Sequence, residues 1–136
     1  RTKKEADCMA TTALHSSAAY NSVDDLRREI AEGLDINEPD ENGCTPLHRA
    51  CMSKSYEAAK ILLETGANVD PQDNWGKTPL GSAVFGKNGS IKLVQLLIDH
   101  GANPTIDNNT GTSPLALAQQ LNKGDYLAVF TAAGYS

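Results

Sequence analysis

Thr45-Pro46-Leu47-His48-Arg49-Ala50, followed further on by Gly66-Ala67-Asn68-Val69-Asp70, brackets the stretch that decides the fold. A threonine hydroxyl can accept from the orphan amides of a starting helix, and a proline in the next position has its φ preset for the first turn, so a helix begins here. The same opening returns as Thr12-Ala13-Leu14-His15, Thr78-Pro79-Leu80-Gly81 and Ser113-Pro114-Leu115-Ala116, at steps of 33, 33 and 35 residues. Gly33, Gly66, Gly101 and Gly134 recur late in each unit, and Gly43, Gly76 and Gly111 recur just before the next. Several residue types sharing one register mark a repeat array, in which each unit is a supersecondary element stacked on its neighbour.

Working outward, each unit reads as helix, turn, helix and projecting loop. Ser17, Ala50, Ala83 and Ala118 form a column of small residues in the first helix, which lets adjacent helices approach closely. Ala58, Ala59, Ile61, Leu62 and Leu63 correspond to Leu93, Val94, Leu96, Leu97 and Ile98, an apolar face at helical spacing that defines a second helix. Gly66 and Gly101 then supply the left-handed conformation that commonly closes a helix. The stretches 68–76 and 103–111 are rich in Asn, Asp, Pro and Gly, as a hairpin turn requires.

With its Thr-Pro-Leu-His opening and Gly-Ala close, the chain resembles the ankyrin-repeat family along nearly its whole length, residues 44–76 fitting best. The resemblance implies an all-α fold, an ankyrin-repeat solenoid of helix-turn-helix units with projecting β-hairpin loops. One domain over 1–136 is expected, with repeats at about 11–43, 44–76, 77–111 and 112–136. Arg28 and Glu29 stand where later units carry Ile61 and Leu62, and Ala13 replaces the proline, so the first unit reads as a polar end cap. Thr131 replaces Leu63 and Ile98 near the other end, and the chain reads as a complete small array with its fourth unit as the second cap, an interrupted longer array being the alternative. The third unit's two extra residues are placed in Gly86-Lys87-Asn88-Gly89-Ser90.

Bulk composition agrees with that reading and narrows the partners. A chain of 136 residues with 40% apolar and 21% charged residues suits one globular domain, and only two Phe, four Tyr and one Trp favour helices over an aromatic-rich sheet. Twelve basic against seventeen acidic residues give a net charge of −5, which repels phosphate backbones and anionic lipid, so neither nucleic acid nor membrane is expected as a partner. A protein partner with a basic surface fits better, and the free chain is expected to be a monomer. Cys8, Cys44 and Cys51 form neither a CxxC pair nor a disulfide framework and are read as reduced thiols. A cytoplasmic location is expected; because the chain starts at Arg1 without Met, a removed signal and a periplasmic or exported location are the alternative.

No constellation of nucleophile, base and orienting group is visible, no phosphate-binding glycine loop occurs, and no cofactor or metal is expected. The carboxylates, such as Asp24-Asp25 and Asp70 with Asp73, read as loop and exposed-face residues. His15 and His48 belong to the repeat's opening, which in this family is structural, and His100 before Gly101 suits the carbonyls of a helix end.

Binding is the function the resemblance implies, through the concave surface of hairpin tips and first helices. The register then places Glu41, Asn42 and Cys44, Asn74, Trp75 and Lys77, and Asn109, Thr110 and Thr112 on the hairpin side. Tyr20, Met52, Ser53 and Phe85, with Arg49 and Ser82 nearby, fall on the first helices. Tyr20 and Phe85 are assigned to the column of Ser53. Trp75, alone in a polar tip, is the sharpest candidate, since Trp is enriched at interface hot spots. An inhibitor or immunity protein is one expectation for the role; an adaptor or regulatory fragment masking a basic segment is the other.

Overall fold

The computed structural model describes residues 13–85 and 91–135. Eight helices occur among them: α1 (residues 13–19), α2 (Val23–Ala31), α3 (Pro46–Met52), α4 (Tyr56–Glu64), α5 (Pro79–Val84), α6 (Ile91–Asp99), α7 (Pro114–Gln120) and α8 (Gly124–Ala132). The first helices start where their chemistry dictates. Thr45, Thr78 and Ser113 are extended N-caps whose side chains accept from His48, Gly81 and Ala116 N–H, each followed by proline. The third unit's extra residues, read into 86–90, lie outside the described residues.

Two helical layers result. α3 packs on α5 and α5 on α7, while α2, α4, α6 and α8 form a parallel series behind them. The small column permits this closeness: Ala50, Ala83 and Ala118 are fully buried and Ser17 nearly so. Leu47, Leu62, Leu80, Leu93, Leu97 and Phe130 fill the continuous core between the layers.

Between first and second helix the chain turns through a left-handed residue, Asn21, Lys54 or Asn122, with φ of 57°, 58° and 54°. Asn tolerates this conformation better than most side chains, and at Asn21 and Lys54 tertiary bonds also engage the residue. Asn21 Oδ1 accepts from Ala58 N–H at 2.9 Å. Lys54 Nζ donates to the carbonyls of Ser82, Ala83 and Phe85 at 3.0, 3.0 and 2.9 Å, placing an ammonium at the negative end of α5.

Glu29 departs from the expectation of an outward polar cap. Arg28 is exposed, but Glu29 is only 6% accessible and occupies the core column of Leu62, Leu97 and Phe130. Among the described residues its Oε1 has no hydrogen-bond partner, and Arg28 Nη2 stands 3.9 Å from Oε2. Thr131, at the place of Leu63 and Ile98, is exposed.

Candidate functional site: the concave face

The projecting loops are hairpin-shaped turns; no strand occurs among the described residues. Gly43 N–H donates to Asp40 O at 2.9 Å and Asp40 N–H to Cys44 O at 2.8 Å; Gly76 with Asp73 and Gly111 with Asn108 repeat the pattern. A side-chain staple closes each turn. Asp40 Oδ1 accepts from Asn42 and Cys44 N–H, Asp73 Oδ1 from Trp75 and Lys77 N–H, and Asn108 Oδ1 from Thr110 and Thr112 N–H, all at 2.8–3.0 Å. Asp73 is therefore buried and structural, contrary to its reading as an exposed loop acid. The three staples recur at the repeat period, a signal present in the sequence and overlooked there.

Adjacent tips are bonded edge to edge. Asn74 N–H donates to Asn42 O at 3.0 Å, and Asn109 N–H to Trp75 O at 2.9 Å. Asn74 Nδ2 donates to Glu41 O at 3.2 Å and Asn109 Nδ2 to Asn74 O at 2.9 Å. A Cβ on Gly43 or Gly76 would stand 2.6 or 2.5 Å from the Asn74 or Asn109 side-chain oxygen, so both glycines are required by this contact as well as by positive φ.

Histidines brace the same tips from below. His15 Nε2 donates to Cys44 O at 2.7 Å and His48 Nε2 to Lys77 O at 2.8 Å, each reaching into the next unit. His48 Nδ1 accepts from Thr45 N–H at 3.1 Å, which sets the neutral tautomer with hydrogen on Nε2. Burial lowers the His48 pKa from 6.5, outweighing the carbonyl bond that favours the cation. His100 Nδ1 donates to Leu96 O at 3.0 Å, so all three histidines serve the scaffold.

Above this frame lies a cleft of about 430 Å³. It brings together Asn42, Arg49, Met52, Trp75, Lys77, Asn109 and Thr110 of the expected residues, with Cys44, Asp73 and Asn108. Trp75 is 54% exposed, with Lys77 Nζ of the same hairpin 5.8 Å from the ring centroid. Met52 beside it is also exposed.

Several of the expected contact residues are also engaged within the scaffold. Arg49 is held by Asp40 through Nε at 3.0 Å and through Nη2. Burial alone would raise the Asp40 pKa, but Arg49 and the Cys44 and Asn42 amides hold it low. The amides of Asn74 and Asn109 bind neighbouring tips, Thr110 Oγ1 donates to Asn108 Oδ1, and Cys44 and Ser82 are buried. Glu41, Ser53 and Tyr20, the last 81% exposed, stand outside the cleft.

Phe85 does not share the column of Tyr20. Although Phe85 and Ser53 both cap their helices, α5 has 6 residues against 7 in α3, so counted from the N-cap Phe85 matches Met52. Its exposed ring borders a second cavity, of about 220 Å³, between the third and fourth units.

Charge is distributed unevenly. Asp40 and Asp73 are engaged by Arg49 and by backbone amides, leaving Glu41 as an exposed acid at the tips. Asp24, Asp25, Glu57, Glu64, Asp99 and Asp125 are exposed on the second-helix layer. Cys51 is fully buried and its thiol is pushed up to about 12 by desolvation, which leaves it inert. Among the described residues no group of three or more His, Cys, Asp or Glu could hold a metal, and no helix is long and apolar enough to cross a membrane.

Stacked helix pairs with bonded tips and an exposed aromatic above a cleft define a repeat solenoid of the protein-interaction class. A family model for ankyrin repeats in three copies matches residues 2–73, and one for the single ankyrin repeat matches 75–109. The chain belongs to the ankyrin-repeat family. It is 37% identical over 107 residues to the putative E3 ubiquitin-protein ligase XBAT35 of Arabidopsis thaliana, covering 78% of this chain and 23% of that protein. It is 30% identical over 107 residues to the putative ankyrin repeat protein FPV223 of fowlpox virus (strain NVSL), covering 79% of this chain and 73% of that one. With the SMC5-SMC6 complex localization factor protein 1 of Bos taurus it shares 30% over 116 residues, 84% of this chain but 10% of the longer protein. The chain thus spans less than a quarter of the length of the plant and bovine relatives.

Proposed function

We propose that this chain recognises one protein partner through the concave cleft, with Trp75 as the anchor. The observation that carries the reading is the half-exposed Trp75 ring beside Met52 and Lys77, above a cleft whose backbone polar groups are already paired. Large aromatics of this kind dominate binding energy at interfaces, and a prebuilt surface lowers the ordering cost of association. An apolar side chain of the partner belongs against Trp75 and Met52, and basic contact near Glu41, the exposed acid of the first tip, and Asp107 of the third loop.

Between the two expected roles, the adaptor is favoured over the immunity protein. The plant and bovine relatives carry the matching region as a small share of much longer proteins, which suits a recognition segment serving a larger machine. The free chain is a monomer in this reading, acting without cofactor or catalysis. Affinity capture from source cells with wild-type and Trp75→Ala baits tests it: a partner retained by the first and lost by the second is expected. Equal retention would remove the cleft from the interface.

A further inference from the structure

Two of the three junctions between units are closed by a histidine, and the third is not. In the second unit His48 satisfies two backbone groups at once, accepting from Thr45 N–H and donating to Lys77 O. At the corresponding place in the third unit stands Gly81, between Thr78 and Thr112. Thr112 O accepts from Asn108 N–H but, among the described residues, lacks the second bond that Cys44 O and Lys77 O receive from a ring. Thr78 is 1% exposed, and its N–H donates to no acceptor among the described residues.

The 220 Å³ cavity lies at this place, lined by Thr78, Gly81, Thr112, Pro114 and Leu117 with the exposed Phe85 ring at its edge. A Cβ on Gly81 would meet Thr78 Oγ1 at 3.7 Å and Pro114 Cγ at 3.8 Å, ordinary contact distances, so the backbone is not crowded against its neighbour. A donor and an acceptor stand where the chain itself elsewhere supplies a neutral imidazole between the same two groups.

We infer that this cavity is a binding site for a neutral imidazole, and that its occupant is a histidine side chain of the protein partner. The ring would accept from Thr78 N–H and donate to Thr112 O, completing the third junction as His48 completes the second, with Phe85 covering it. Buried polar groups left without partners are costly, so a ligand that pairs both gains affinity and orientation together. The imidazole site stands on the cavity alone; the assignment of the ring to a partner rests on the concave-face reading above.

The first test uses 4-methylimidazole as probe, at a pH near 8 where imidazole is neutral, and amide NMR of the full chain. Saturable shifts at Thr78, Gly81 and Thr112 with millimolar affinity are expected, absent with 1-methylimidazole, which has no N–H to donate. They should vanish in Gly81→His, which carries its own ring and should melt higher than the parent. Shifts that fail to saturate, that persist in Gly81→His or that 1-methylimidazole reproduces would overturn the site. Unfolding of Gly81→His would overturn it too, because a cavity of this shape accepts a ring on that Cα. For the partner, Gly81→His should weaken binding at least tenfold. A Gly81→His chain that binds normally while Trp75→Ala does not would sink the partner histidine and leave the concave-face reading standing.

Discussion

His48 Nε2 lies 2.8 Å from Lys77 O, a bond across 29 residues of sequence that ties the start of one first helix to the hairpin of the next unit. The same ring holds Thr45 N–H on its other nitrogen, so one side chain closes a helix N-terminus and a repeat junction together. His48→Ala leaves a buried amide and part of a carbonyl unsatisfied and opens a cavity. A loss of about 2 to 4 kcal/mol is expected. Urea unfolding measures it, and a loss below half a kcal/mol would show that the junction does not depend on the ring.

The same geometry fixes a pH dependence. Burial holds the His48 pKa below its ordinary 6.5, so the unfolded chain takes up the proton more readily than the native one. The stabilisation is fully present above about pH 6.5 and is lost as pH falls through the lower native value. The urea midpoint should therefore drop between about pH 7 and pH 5. An equally steep drop in His48→Ala would assign the effect to another group.

Glu29→Leu should stabilise the protein. The carboxylate sits in the column of Leu62, Leu97 and Phe130 with Oε1 unpartnered among the described residues, so leucine removes a desolvation cost and adds apolar contact. A gain of about 1 to 3 kcal/mol is expected. A thermal melt shifted downward would mean that the carboxylate is satisfied by a contact other than Arg28.

Asp73 and Asn108 do the same work in successive turns, which separates geometry from charge. Asp73→Asn keeps an oxygen for Trp75 and Lys77 N–H and should cost less than about 1 kcal/mol, whereas Asp73→Ala should cost about 1 to 3. Equal losses in the two proteins, read from denaturant midpoints, would show that the negative charge itself is what matters.

Trp75→Ala should weaken partner binding by about 2 kcal/mol or more with the melting temperature unchanged. Calorimetric titration and a melt of the same preparation test both halves. A fall in melting temperature would show that the ring stabilises the hairpin instead.

The fold was legible because its signals are local and periodic. Thr45-Pro46, Gly66 and the apolar columns each act within a few residues of themselves, and the repeat multiplies them. The column of Glu29 is legible in the repeat, at the place of Leu62, but its polarity suggests an end cap facing outward, whereas the carboxylate is buried. Phe85 belongs with Met52 and not with Ser53, because both stand seven residues after the threonine that opens their unit, a one-residue difference in register that the sequence itself carries. The side chains of Asn74 and Asn109 looked available for a partner because their acceptors lie 33 and 35 residues away on neighbouring tips. Lys54 was invisible for the same reason, its three carbonyls lying in the following unit. Met52, Trp75 and Lys77, which the register assigns to hairpin tips and a first helix, line one cleft.

The edge-to-edge bonding of the tips has a bearing on how such a protein changes over generations. Trp75 contributes its carbonyl to Asn109 and its N–H to Asp73, and any residue at that position carries the same two groups, proline lacking only the N–H. The frame is written in main chain and in the Asp, Asn and Gly positions that grip it; what faces outward at 75 is left to vary. Specificity can drift toward a new target by single replacements there, while the architecture that presents it is inherited unchanged.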